Sequence, residues 1–113
     1  MKKIMHITTA SEWEEAKKSE IYTALSLRTA GFIHCSLVNQ IESVANHIFK
    51  GQNGLVLLEI DEDKLKSEVK YEDLFNEGQN YPHIYGPLNI DAVLRVLPFP
   101  PENDGNFKLP KEL

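Results

Sequence analysis

The sequence predicts an α+β fold with five or six short strands and two main helices, formed as a single domain over residues 1–113. Two segments carry this prediction. LVNQIESVANHIFKG places its apolar residues at helical spacing, and GLVLLEID is a short apolar run between Gly54 and Asp61, which is typical of a central strand. Strands and helices do not alternate regularly along the rest of the chain, so a doubly wound sheet is not expected.

The chain is expected to begin with a strand, KKIMHIT, followed by a helix, TASEWEEAKKSE. Ser11 and Glu14 have the spacing of a capping box, and Glu14 and Lys18 have the spacing of a stabilising i,i+4 pair. The next segment, IYTALSLRTAGF, has no clear period. It is interpreted as a loop that carries Tyr22 and Ser26 towards the strand GFIHCS.

The helix that follows is the most regular in the sequence. Gly51 is expected to end it, and His47 lies off its apolar face and is expected at the surface. That apolar face carries Ile41, Val44, Ala45 and Ile48.

The second half of the chain reads as strands separated by turns. EDKLKSE is expected to form a turn, VKYEDLF a strand, HIYGPL a short extended segment and NIDAVLRVLPF the last strand. The tail turns around Asp104 and Gly105, which would allow Phe107 and Leu109 to pack back on the body of the protein.

Composition narrows the class of protein. The formal net charge is −5, with 12 basic and 17 acidic residues, which argues against non-specific binding of nucleic acid. No apolar stretch reaches the length of a membrane span, and the first residues do not form a secretory signal. The single cysteine, Cys35, cannot form an internal disulfide, so the reducing cytoplasm is the expected location.

The segment GFIHCS places polar side chains within a strand. Successive side chains of a strand point to opposite faces, so His34 and Ser36 share one face with Phe32, while Ile33 and Cys35 share the other. Cys35 is therefore interpreted as a core residue. His34 is either a hydrogen-bonded core residue or a residue of a functional site.

Two further histidines show a similar pattern. In YPHIYGP, His83 and Tyr85 share a face across Ile84, and His6 alternates with apolar residues in the first strand. Both faces could line one cleft, or the side chains could be packed under a turn. Among the acidic residues, Glu72 is notable because it falls on an expected strand instead of a turn.

Several well-known chemical motifs are absent. The chain has no CxxC, HxxxH or HExxH spacing for a metal, no GxSxG elbow, and no GxGxxG or Walker sequence. A zinc site assembled from His6, His34 and His83 has no local signature to support it.

The sequence resembles the bacterial and plant domain-of-unknown-function family number 952. The resemblance lies in a series of patterns in this order: a histidine in the first strand, Y..LSL...GFIHCS...Q, LLEID, YE and PHIYGPL. The resemblance extends from His6 to Gly105. That family has no established activity, but it is distantly similar to the ADP-ribosyltransferase-like fold. The resemblance therefore implies a small split, bent β-sheet with a cleft for NAD or a similar nucleotide.

The resemblance also implies roles for individual residues. His6 matches the histidine that hydrogen-bonds the ribose beside the nicotinamide, and His34 the side chain that stacks against the nicotinamide, with Ser36 beside it. Gln40 would support the adjoining loop. The glutamate of the transferring members has no match in this sequence, and His83 and Tyr85 stand in the corresponding segment.

Together with the polar strand faces, the resemblance implies a site that binds NAD or an ADP-ribose-type nucleotide, with no metal. The activity that the resemblance implies is that of a glycosyl or ADP-ribosyl transferase or an NAD-processing enzyme. A non-catalytic small-ligand-binding module and a histidine-based metal-dependent hydrolase are the alternatives. The candidate catalytic residues are His34, His83 and Tyr85, and the candidate ligand-binding residues are His6, Tyr22, Ser26, Ser36 and Gln40.

Overall fold

The computed structural model describes residues 2–113, which form an α+β structure with three α-helices and several antiparallel sheets. The helices are α1 (Ala10–Ser19), α2 (Leu25–Thr29) and α3 (Ile41–Ile48). The strands are β1 (Lys3–Thr9), β2 (Ile21–Tyr22), β3 (Ile33–His34), β4 (Leu55–Asp61), β5 (Glu68–Glu72), β6 (Tyr81–Tyr85), β7 (Leu88–Asn89) and β8 (Val93–Pro98).

Three antiparallel units make up the β-structure. One sheet has the strand order β1-β4-β8, a second has the order β3-β6-β5, and β2 pairs with β7. The strand β4 is central, as its continuous apolar run predicts. Every helix in the described part of the chain is too short or too polar to cross a bilayer.

The β1-β4-β8 sheet is covered on both faces. One face packs with α1 through Ile4, Trp13 and Leu58, and this cluster also contains Ile33 and Cys35. A second cluster joins the opposite face to α3 and the tail. Its buried members are Met5, Ile7, Ile41, Ala45, Leu55, Leu57, Leu97, Phe99 and Phe107. The prediction that Phe107 packs back is confirmed, because its side chain is 1% exposed.

The cap of α1 differs from the prediction. The N-cap is Thr9 and not Ser11, because the Thr9 hydroxyl accepts a hydrogen bond from the Glu12 amide at 3.1 Å and donates one to the Glu12 carboxylate at 2.9 Å. The predicted pair between Glu14 and Lys18 does not form. Both side chains take partners three residues away, since Glu14 bonds Lys17 at 2.9 Å and Lys18 bonds Glu15 at 3.5 Å.

The segment predicted as a loop, residues 21–32, contains β2 and α2. Consequently, the chain has three helices in its described residues instead of two main ones. The pairing of Tyr22 with Leu88 stabilises β2, and a contact between residues so far apart leaves no periodic pattern in the sequence.

Other boundaries also shift. A 3-10 turn over Val38–Gln40 precedes α3, and the helix ends at Ile48, which is 63% exposed and not on the buried face as predicted. The predicted strand over VKYEDLF ends at Glu72, because Leu74 and Phe75 lie in an exposed loop. HIYGPL contributes to two strands, β6 and β7, which Gly86 and Pro87 separate.

Candidate functional site

The cleft arises where the two larger sheets separate. Met5 and Ser36 form a single bridge between β1 and the chain just beyond β3, with N–H···O distances of 2.7 and 2.8 Å. Apart from this bridge, β1 pairs with β4 in one sheet and β3 pairs with β6 in the other. Because the two sheets are joined by this one bridge in the described residues, they diverge beside it, and side chains there face an open space.

The open space is a cleft of about 770 Å³ bounded by β1, the β3–β6 pair, α3 and the loop that follows β5. This volume lies in the range of small-molecule and cofactor sites, about 300–1,000 Å³. No lysine or arginine lines it among the described residues. Its polar lining consists of His6, Ser26, His34, Ser36, Ser43, His47, Glu77, Tyr81 and His83, so all four histidines of the chain are present.

His83 is held by a carboxylate. Its Nδ1 lies 2.9 Å from Glu72 Oε1, and the Tyr85 hydroxyl donates to the same oxygen at 2.6 Å. These two hydrogen bonds hold the pKa of the Glu72 carboxyl below its usual value, the bond from Tyr85 having the larger effect. The Glu72 carboxylate raises the pKa of the Tyr85 phenol in return. Glu72 is therefore ionised at neutral pH.

Aromatic packing fixes the plane of the His83 ring. Phe32 stacks on it with a centroid distance of 4.1 Å and an interplanar angle of 23°. His34 lies edge-on to the same ring at 5.7 Å. Partial burial, and to a smaller extent the neighbouring His83, lowers the pKa of His34, which favours a neutral imidazole at the surface of the cleft.

His6 uses both ring nitrogens within the protein. Nδ1 donates to the backbone carbonyl of His34 at 2.5 Å, and Nε2 lies 2.9 Å from the Tyr22 hydroxyl, which is also 2.9 Å from Thr8 Oγ1. Burial lowers the pKa of His6 to about 4, so the ring is neutral. Burial also raises the pKa of Tyr22 to about 12. A ligand that bonds His6 must displace one of these partners.

Gln40 joins three segments behind the cleft. Its Oε1 accepts from the Leu37 amide at 2.9 Å, while its Nε2 donates to Gln79 Oε1 at 3.0 Å and to the Asn80 carbonyl at 2.9 Å. Gln40 is buried and does not line the cleft. Its contacts connect the turn before α3 to the loop before β6.

Cys35 lies in the core, next to Ile33, at the point where the core borders the cleft. Its side chain is 4% exposed, and burial raises the pKa of the thiol, so the thiolate that nucleophilic chemistry needs is disfavoured.

The structure thus brings five of the eight sequence-predicted site residues to one cleft, namely His6, Ser26, His34, Ser36 and His83. Tyr85, Tyr22 and Gln40 lie one layer behind and hold other residues of the site in position. Glu72 is the important residue that sequence reasoning left without a role. Glu72 pairs with Tyr81 in the antiparallel register of β5 and β6, and Tyr81 is two residues from His83 on the same strand face. Knowledge of this register would therefore have predicted the contact between Glu72 and His83.

Among residues 2–113, no group of three or more His, Cys, Asp and Glu side chains is arranged to hold a metal ion.

Comparisons with known proteins agree with this fold. The crystal structure of protein CC0527 from Caulobacter crescentus matches with a TM-score of 0.86 and 31% identity over 96% of this chain and 95% of that one. The solution NMR structure of the same protein matches with a TM-score of 0.77 and 31% identity, covering 100% and 97% of the two chains. No curated protein matches the sequence. A family model described as protein of unknown function (DUF952) matches residues 7–96, and the chain therefore belongs to that family.

Proposed function

We propose that the cleft binds NAD or an ADP-ribose-type nucleotide, in a protein related to the ADP-ribosyltransferase-like fold. One observation carries the proposal: every histidine of the chain lines a single cleft at the junction of two sheets. The imidazoles of His34, His47 and His83 and the hydroxyls of the lining serines offer the donors and acceptors that a ribose with a carboxamide-bearing ring requires. The lining serines are Ser26, Ser36 and Ser43.

The charges of the cleft indicate which end of the nucleotide enters it. The lowered pKa values of His6 and His34 keep both rings neutral, so neither repels a cationic nicotinamide ring. Glu77 contributes a carboxylate to the same lining. Because no lysine or arginine of residues 2–113 lines the cleft, the diphosphate is expected to remain at its solvent-facing mouth, with the nicotinamide and its ribose inside.

A non-catalytic ligand-binding module is the second candidate. It is favoured by the position of Glu72, whose carboxylate lies behind His83 and does not line the cleft. A carboxylate in that place does not contact a sugar directly, so binding without turnover is consistent with the same geometry. Detection of nicotinamide released from NAD would contradict this candidate.

Calorimetry and ligand-observed NMR with NAD, ADP-ribose and nicotinamide test the proposal. His34→Ala and His83→Ala should each weaken binding about tenfold, corresponding to about 1.4 kcal/mol. Gln52→Ala is the matched control, because Gln52 is exposed and lies outside the cleft. The melting temperature of each variant shows whether it is folded. Binding that neither histidine substitution weakens would contradict the proposal.

A further inference from the structure

The Glu72 carboxylate is hydrogen-bonded by His83 and Tyr85, two side chains on the same face of β6. Its side chain is 23% exposed and that of His83 is 4% exposed, so the pair is largely shielded from water. Among the described residues, Lys70 forms no ion pair with Glu72. Its ammonium lies over the Tyr85 ring, 4.8 Å from the ring centroid. The contact between Glu72 and His83 is therefore a specific, oriented one.

The chemistry of the two partners fixes the tautomer of His83. An ionised carboxylate can only accept hydrogen bonds, and Glu72 Oε1 is 2.9 Å from His83 Nδ1. The proton of the neutral ring must consequently be on Nδ1. Nε2 is left with its lone pair, which is the form of histidine that accepts a proton.

The position of Nε2 follows from the remaining contacts. Among the described residues, His83 makes its side-chain hydrogen bond through Nδ1, and no fully buried side-chain nitrogen or oxygen lacks a partner. Nε2 is therefore not fully buried, and the open space that His83 lines is the cleft. The stacked Phe32 prevents the ring from turning away.

We infer that His83 is a general base and Glu72 its positioning residue, with Nε2 taking the proton from a hydroxyl nucleophile, water or an alcohol, bound in the cleft. The identity of the electrophile rests on the proposed function, whereas the pair itself does not. Tyr85 has a supporting part, because its hydroxyl holds the carboxylate in the orientation that His83 needs.

For an NAD-type donor the step balances as follows. The nucleophile oxygen forms a bond to the anomeric carbon, and the bond from that carbon to the nicotinamide nitrogen breaks. Its electron pair neutralises the charge of the departing ring. The hydroxyl proton moves to Nε2, where the Glu72 carboxylate stabilises the imidazolium, and it is later released to water.

The tautomer can be measured in the unliganded protein. In protein carrying ¹⁵N-labelled histidine, long-range ¹H–¹⁵N spectra at pH 8 should show the His83 ring protonated at Nδ1 alone. Glu72→Ala should produce a mixture of tautomers, whereas Gln52→Ala, at an exposed position outside the cleft, should retain the wild-type form. A His83 ring protonated at Nε2 in the wild type, or one unaffected by Glu72→Ala, would overturn the pair.

Turnover tests the base itself. Nicotinamide release from NAD should fall about 100-fold in both His83→Gln and Glu72→Gln, the lower end of the usual effect of a general base. Gln52→Ala should retain the wild-type rate. Release that His83→Gln does not reduce, or none from the wild type, would overturn the transfer step. Because the tautomer is measured without ligand, failure of NAD to bind is a separate result.

Discussion

Cys35 and His34 illustrate how neighbouring residues acquire different roles. His34 ends β3 and faces the cleft, whereas the side chain of Cys35, just after the strand, packs in the core with Ile33 and exposes only 4% of its surface. The thiol is the more reactive group in water, but burial removes that advantage by raising its pKa. At this site, orientation and dielectric environment determine function more than the identity of the side chain.

We therefore expect Cys35 to be chemically inert. Cys35→Ala should retain the affinity for any ligand of the cleft and should destabilise the protein by about 1 kcal/mol, through the loss of buried sulfur contacts. Iodoacetamide should modify the native protein slowly and the urea-unfolded protein quickly. Rapid alkylation of the native protein would contradict the assignment of Cys35 to the core.

At the scale of elements, the loop between β5 and β6 is held more firmly than its exposure implies. Asp73 accepts from the Glu77 amide at 2.7 Å and from the Gly78 amide at 2.9 Å, and Gln40 anchors the far end of the loop. This frame presents Phe75, which is 68% exposed and lines the cleft together with Ile48. An exposed apolar ring on a fixed loop is suited to contact with a planar ligand.

Phe75 should therefore affect binding more than stability. Phe75→Ala is expected to weaken binding of NAD or nicotinamide roughly fivefold, equivalent to about 1 kcal/mol for a lost aromatic contact. Its effect on the free energy of unfolding should stay within about 0.5 kcal/mol, as for other exposed positions. Calorimetry and urea titration measure the two quantities.

The neighbouring Leu74 supplies the matched control for Phe75. It is 52% exposed on the same loop but does not line the cleft, so Leu74→Ala should leave affinity unchanged. Equal losses of affinity in the two variants would attribute the effect to the loop as a whole and contradict a direct contact by Phe75.

The elements also show which features a sequence can predict. The helix α3 was predictable because its apolar residues repeat with the helical period, and the strand β4 because it is a short continuous apolar run. The two-residue strands β2 and β7 were not, since they depend on each other across more than sixty residues. Periodicity likewise placed His83 and Tyr85 on one face, whereas their contact with Glu72 depends on the register of β5 against β6.

At the scale of the whole molecule, the junction of the two sheets links folding to the state of the cleft. His6 belongs to β1, yet its Nδ1 bonds the backbone of His34 in β3, so this ring helps to join the sheets. Burial lowers its pKa to about 4. Protonation of His6 therefore acts on the assembly of both sheets and not on one side chain alone.

Acid should destabilise the protein through His6. In the unfolded chain this residue takes up a proton near pH 6.5, whereas the folded protein resists doing so until about pH 4. The contribution of neutral His6 to the free energy of unfolding is thus fully present above pH 6.5. It is lost as the pH falls towards 4, and it amounts to a value on the order of 3 kcal/mol. The lowered pKa of His34 acts in the same direction, while Glu59 and Glu72, whose pKa values are also lowered, contribute only at more acidic pH.

Urea titrations between pH 7.5 and 4.5 measure this dependence. His6→Gln should lower stability at pH 7.5 but show a shallower decline with acid, because it removes the group that the unfolded chain protonates preferentially. Gln52→Ala, at an exposed position with no ionisable side chain, should keep the wild-type slope. Equal slopes in wild type and His6→Gln would show that His6 is not held neutral. The argument that neutral His6 and His34 rings admit a cationic nicotinamide ring would then lose one of its two supports.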